Sequence, residues 1–395
     1  MAVSAAIFYS NILLLTFSSE PVLLGNIPNQ QPGLFGLIHS NRDFTQKEAW
    51  GKNCFNSSFP ASLCSYLYSL NLENVYIKLN SNLKVEHSSI STENFYGIDP
   101  TSDNLFYAFE TQFTPYQQYL IGNLPGVDLV TQARDSGSCL QPIEIKLTAL
   151  PDNTTCEFAE DYYGCEIVVR PDTIVYLACS IVENFRINPS IMGSVITEKL
   201  ANITDWTEAI SVIPYIPDMI DYIDAIALSL IDVQKPFLMQ PIWKTERKSS
   251  KLVDNCLDVF VWSNLAFTRL FIDLAKIEIN TYGRIRNITR HTRTIIWLFK
   301  MLSDFSINGY FNHGRIIDSL SYNTKNDKAF AVSGRVTHAY MTSAALRQPR
   351  ITKQEIKRII LGGGQNLLSP ERRFDAIIFN SPDIFDLSVP SMPDY

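Results

Sequence analysis

The sequence has no cysteine framework. Its seven cysteines (54, 64, 139, 156, 165, 179 and 256) are odd in number and form no C-x-x-C pair. That excludes a fully paired disulfide scaffold and the usual zinc spacing, and reduced, buried thiols are expected instead. A membrane-spanning run is also missing. The most apolar long stretch, residues 256–277, is interrupted by Asp258, Arg269 and Asp273, so no transmembrane helix is expected. The segment AAIFYSNILLLTFSS looks like a signal-peptide core, yet no Lys or Arg precedes it, and a secretory leader needs that basic start. Four Asn-x-Ser/Thr sequons, at Asn56, Asn153, Asn202 and Asn287, arise readily by chance in a chain rich in Asn and Ser. The expectation is a cytoplasmic protein. Basic residues are scarce in the first half, where residues 1–200 hold 10 Lys/Arg against 20 Asp/Glu. Neither an internal repeat nor a low-complexity linker marks a domain boundary.

What the chain does contain is enough apolar residue for a sizeable core: 46% of its 395 residues are hydrophobic and 12% aromatic. The net charge of −7 argues against a protein coated in basic surface. Locally the balance reverses, with 11 basic against 5 acidic residues in 244–300 and 7 against 2 in 344–373. Such stretches suit an anionic ligand held at one place. Three regions are expected: a mixed N-terminal part (1–100), a core (101–185) and a mainly helical remainder (186–395).

Within the core, residues 103–121 read as a helix starting near Asp103, with Pro115 as a kink. LPGVDLVTQA reads as a turn and a strand, RDSGS as a hairpin turn, and CLQPIEIKLTALPD as the returning strand. EIVVR is a candidate short strand. PDTIVYLACSIVENF begins well for a helix at Pro171 and Asp172, although its β-branched residues leave a strand open. LDVFVWSNLAFTRLFIDLAKIEI (257–279) and TIIWLFKMLSDF (294–305) have apolar spacing near 3.6, as core helices do. ITKQEIKRIILGGG reads as a helix ended by glycines, and FDAIIF as a strand.

Chemistry concentrates at residues 128–146. E-x-K occurs three times: Glu144–Lys146, Glu246–Lys248 and Glu355–Lys357. Glu355 sits in a helical pattern, where residues two apart diverge by about 200°. Glu246 sits in KTERKSSK, read as a polar loop. Only Glu144 and Lys146 lie on a strand, where residues i and i+2 share a face. A hairpin through RDSGS brings them beside Asp128 of LPGVDLV. Two carboxylates and a lysine at one sheet end suit metal-assisted hydrolysis, with Mg²⁺ on the oxygen ligands and the lysine placing or deprotonating the attacking water. Glu110, on the preceding segment, is the fourth candidate. Asp135 reads as a turn former and Asp152 as a loop or cap residue.

Asp128 followed by Glu144-x-Lys146 resembles the PD-(D/E)XK nuclease superfamily, although PGVD stands where that family has Pro-Asp. The longer stretch PIEIKLTALPDNTT…GCEIVVRPDTIVYLA, with LGGGQNLLSPERRFDAIIF, resembles the HindVP-like type II restriction endonucleases from about residue 100 onward. The resemblance implies an α/β fold, a restriction-endonuclease-like mixed sheet flanked by helices with a largely helical C-terminal half. It also implies Mg²⁺-dependent cleavage of double-stranded DNA at a short palindrome, GRCGYC in members of this kind, leaving 5′-phosphates. Asp128, Glu144 and the Ile145 carbonyl would hold Mg²⁺, Lys146 would assist the water and Glu110 would support them. A palindrome implies a homodimer, and restriction implies a cognate DNA methyltransferase.

For gripping DNA, YGRIRNITRHTR offers Arg284, Arg286, Arg290 and Arg293 with no acid between 282 and 300. Arginine contacts phosphate and pairs bidentately with guanine. A second basic segment runs from Arg347 to Arg373, and glycines 362–364 read as a helix terminator. His313 and His338 read as structural or exposed. Two other readings stay open on residues alone: a repair or structure-specific nuclease on the same core, and a DNA-binding protein whose acids and lysine only pair at the surface. A secreted glycoprotein is a third.

Overall fold

The fold is taken from a computed structural model, which describes residues 64, 67–68, 70–102, 104–146, 148–149, 167–185, 200–246, 249–251, 259–322 and 330–332. Its centre is a mixed sheet. The strands are β1 (Asn74–Leu79), β2 (Val85–Ile90), β3 (Leu105–Thr111), β4 (Val127–Ala133), β5 (Cys139–Ile145), β6 (Thr148–Ala149), β7 (Ile167–Val169), β8 (Pro236–Glu246), β9 (Ser249–Lys251), β10 (Val259–Ser263) and β11 (Phe330–Val332). Their order across the main sheet is β2-β1-β10-β8-β5-β4-β3, with β6 and β9 also pairing β8. β7 and β11 form a separate antiparallel pair. The joins β1–β10 and β5–β8 are parallel, and the others along the main path are antiparallel.

The helices are α1 (Thr92–Tyr96), α2 (Pro171–Phe185), α3 (Ala209–Val212), α4 (Ile216–Ser229), α5 (Asn264–Tyr282), α6 (Arg290–Asn308) and α7 (His313–Ser319). α2 is the central one. Pro171 occupies the first helical position, where a missing N–H costs nothing, and every residue from Thr173 to Val182 is buried. It joins α4, α5, α6 and the strands in one hydrophobic cluster. Capping defines both long helices. The Ser263 side chain accepts from Ala266 N (3.0 Å) and the Thr289 side chain from Thr292 N (3.3 Å). Both helices end on glycines in the left-handed region, Gly283 at φ 70° and Gly309 at φ 76°, a conformation that a Cβ disfavours. Asp224 on α4 receives Arg269 Nη1 and Lys276 Nζ of α5, each at 2.8 Å, and ties the two helices at their rim.

The β4–β5 hairpin, β7 and helix α2 match the sequence reading. Three parts differ. Residues 105–111 form strand β3 and only Thr114–Tyr119 are helical, as a 3₁₀ turn. LFYAFET is rich in aromatic residues, which suit a pleated sheet. The apolar run from 257 contains strand β10 (VFVWS) before α5 begins. All five β10 residues are buried, so the strand shows none of the alternation that separates strand from helix. In KTERKSSK the flanks are paired strands rather than loop, with Lys244 opposite Lys251 and Glu246 opposite Ser249. The sheet therefore draws on all three sequence regions, and residues 236–263 supply β8 and β10 between the N-terminal strands and the core. The E-x-K at 355–357, the second basic segment, the glycine run and His338 lie outside the described residues. Cys64 and Cys179 are buried and Cys139 is half-buried, and none of the three forms a disulfide among the described residues. Among the described residues no helix is long and apolar enough to cross a membrane.

Candidate active site

The site forms where β4 and β5 meet β8 and the start of α2. Leu129 pairs Ile143 in the β4–β5 ladder, so one position further along Asp128 falls opposite Glu144. Asp128 is tied down by its own neighbour strand, because its Oδ2 accepts from Ile145 N at 2.8 Å. Beyond Ile145 the chain stays on the sheet, with Lys146 N donating to the Met239 carbonyl of β8 at 2.9 Å. The Lys146 ammonium pairs with Glu144 Oε1. Their side chains are only 14% and 11% exposed, so this is no solvated surface pair.

A second donor reaches the same oxygen. Thr173 Oγ1, on the first turn of α2, donates to Glu144 Oε1 at 3.1 Å. With Oε1 engaged twice, Oε2 is the Glu144 oxygen with no hydrogen-bond partner among the described residues. Burial is the largest single influence on Lys146 and pulls its pKa down. The charges of Glu144 and Asp128, with the Glu144 hydrogen bond, outweigh burial and hold the ammonium above the ordinary lysine range. That balance favours the ammonium form of Lys146, which suits it to placing an oxygen. Asp172 adds a third acid beside the pair. The residue is exposed, but the protein packed around its carboxyl raises its pKa, and the Glu144 charge raises it further. His313, when protonated, and the Arg170 and Lys146 charges oppose that rise. Gln240 follows Met239 on β8 and is buried, and its Oε1 has no hydrogen-bond partner among the described residues.

Of the predicted residues, Asp128, Glu144, Ile145 and Lys146 are brought together. Glu110 is not on a helix. It lies on β3 between the pairs Phe109–Leu129 and Thr111–Val127, which sets its backbone opposite Asp128. Glu110, Asp128 and Glu144 thus occupy one row across three adjacent strands. Sequence reasoning missed Thr173, Asp172, Arg170 and His313. Only Pro171–Asp172 as a helix start gave a local signal, since nothing in the spacing says that α2 begins against β5.

The arginines separate. Arg284, Arg286 and Arg290 are exposed, and the Arg286 guanidinium lies 4.1 Å over the Tyr282 ring. Arg293 is 1% exposed, sits 4.7 Å over the Trp297 ring and donates to the Ser321 carbonyl at 3.4 Å. Its spacing suggested a surface contact, but α6 turns it into the core, where stacking on an aromatic face accommodates a weakly hydrated cation.

Among the described residues no three His, Cys, Asp or Glu side chains form a ready metal cage. Two adjacent carboxylates and a backbone carbonyl nevertheless fit Mg²⁺, which takes oxygen ligands and keeps several of its waters. Glu144 Oε2, which has no hydrogen-bond partner among the described residues, supplies one such oxygen.

The sequence model of the HindVP restriction endonuclease family matches residues 50–385. The type II restriction enzyme HgiDI of Herpetosiphon aurantiacus is 46% identical over 356 residues, which is 90% of this chain and 98% of that one. The "Probable type II restriction enzyme HindVP" of Haemophilus influenzae is 45% identical over 357 residues, or 90% and 96% of the two chains. No solved structure matches. A match of this length, over a chain whose sheet carries Asp128, Glu144 and Lys146 side by side, places the protein in the HindVP restriction endonuclease family.

Proposed function

We propose that the protein cleaves both strands of duplex DNA at a short palindrome with Mg²⁺, leaving 5′-phosphates. The observation that carries this reading is the trio at the end of the sheet: Asp128 and Glu144 on adjacent strands, with the ammonium of Lys146, just beyond β5, bound to Glu144. Asp128, Glu144 and the Ile145 carbonyl are the residues to hold Mg²⁺, with Glu110 on the next strand in support. Bound there, the metal supplies an acidified water and neutralises charge developing on the phosphate. Lys146 stays protonated, fixes the Glu144 carboxylate and offers its charge to the attacked phosphate. Asp128 keeps the β5 end in place through Ile145 N. Arg284, Arg286 and Arg290 are the proposed backbone or guanine contacts. Arg293, which was grouped with them by sequence, is spent inside the protein.

The family resemblance points to GRCGYC as the site, a two-fold target that calls for a homodimer. It also calls for a cognate methyltransferase that protects host DNA. A non-catalytic reading needs the acids and lysine to be a surface ion pair, which their burial opposes. Digesting phage DNA with Mg²⁺ and sequencing the ends by run-off tests the proposal. The expected result is one recurring palindrome with 5′-phosphate ends. Cleavage at branches or lesions without a fixed sequence would favour a repair nuclease.

A further inference from the structure

We infer that Thr173 is a positioning residue for the site: it dictates which oxygen of Glu144 is presented to the metal. The inference rests on the reading of Glu144 as a metal ligand. Thr173 is 1% exposed and donates through Oγ1 to Glu144 Oε1 at 3.1 Å. The Lys146 ammonium occupies the same oxygen. A carboxylate held twice at one oxygen cannot rotate freely, so Oε2 stays the oxygen left for a metal. Lys146 alone would not do this. Its side chain is long and flexible, and its charge can follow either oxygen, whereas a threonine hydroxyl on a helix has one reach.

Helix α2 is itself anchored to the strands that carry the other acids. Tyr176 lies three residues after Thr173, on the same helix face. Its hydroxyl donates to the Pro125 carbonyl at 2.8 Å and accepts from Phe113 N at 2.9 Å. Pro125 leads into Asp128, and Phe113 follows Glu110 after the end of β3. One face of α2 therefore references Glu144 to the ends of the two neighbouring strands. Hydrogen bonds that orient a metal ligand from behind typically govern about 10- to 100-fold in affinity or activity.

The test compares the full-length parent with Thr173→Val, Thr173→Ser and Glu144→Ala. Mn²⁺ binding is read by electron paramagnetic resonance of the free ion, and single-turnover cleavage of phage DNA is read over a range of Mg²⁺ concentrations. Valine keeps the shape of threonine and removes only the hydroxyl, and thermal melting reports whether the fold survives. Thr173→Val should raise the Mn²⁺ dissociation constant about ten-fold. It should also slow cleavage at low Mg²⁺, with recovery as Mg²⁺ rises, while Thr173→Ser stays within about two-fold of the parent. Should the valine variant melt early, Thr173→Ala lacks the same hydroxyl and carries the same expectation. If Thr173→Val binds Mn²⁺ like the parent while Glu144→Ala does not, the inference is wrong and the site stands. If valine and serine variants lose binding equally, the hydroxyl is not the cause and the inference is again wrong. If Glu144→Ala binds Mn²⁺ and cuts like the parent, the reading of the site itself is overturned.

Discussion

Asp128 is asked to do two jobs, and two substitutions separate them. Its Oδ2 accepts from Ile145 N at 2.8 Å, and Ile145 is buried at 5% exposure. Asp128→Ala leaves that N–H without its acceptor inside the protein. A hydrogen bond to a charged partner contributes about 1.5–3 kcal/mol, and an abandoned buried donor costs a similar amount. Asp128→Asn keeps an oxygen in place and removes only the charge. Losing that charge relieves repulsion with Glu144 but also takes away one of the two charges that raise Lys146. These effects oppose each other, so the Asn variant should remain within about 1 kcal/mol of the parent, the scale of an ordinary polar change. In urea, with a slope of about 3 kcal/mol per M, a 2 kcal/mol loss moves the midpoint down by about 0.7 M. The Ala variant should show that shift and the Asn variant should not, while neither should cleave DNA. Equal midpoints for Ala and Asn would refute the Ile145 hydrogen bond as a structural support and leave Asp128 with the chemistry alone.

Other outcomes follow from the same geometry. Arg286→Ala should weaken duplex binding and lower the slope of log K against log salt by about one, with little effect on stability. Arg293→Ala should cost on the order of 2–4 kcal/mol in unfolding, the range for a truncated buried side chain, and leave the salt slope unchanged. A filter-binding salt series and urea unfolding of both variants check the pair, and a reversed pattern would contradict their burial. Burial lowers the pKa of His291 and His313 below the ordinary 6.5. The unfolded chain therefore takes up protons first as pH falls through about 6.5, so stability should drop from there down to the lowered folded values. Melting temperatures measured from pH 7.5 to 5 should decline, and His291→Gln should flatten the decline.

The hairpin, the Glu144/Lys146 pair and its partner Asp128 were legible in the sequence because a tight turn and period-two spacing are local signals. β3 and β10 were not legible as strands. Aromatic LFYAFET and fully buried VFVWS carry no alternation, and only the sheet decides them. Glu110 was expected on a helix and lies on strand β3 instead. Its position opposite Asp128 comes from strand register, which no spacing encodes. Thr173 is a long-range partner, 29 residues from Glu144, and a hydroxyl at a helix start looks like any other until the helix is docked. Arg293 shows the opposite error, since a run of basic residues has no mark for the one whose helix phase turns inward.

Glu144 and Lys146 are proposed to do chemistry on a phosphodiester. Supercoiled plasmid incubated with Mg²⁺ and the parent protein, or its Glu144→Ala or Lys146→Ala variant, tests this most directly. The parent should yield a fixed set of linear fragments, and both variants should leave the plasmid uncut while still binding it. Either variant cutting at the parent's rate and sites would contradict the account.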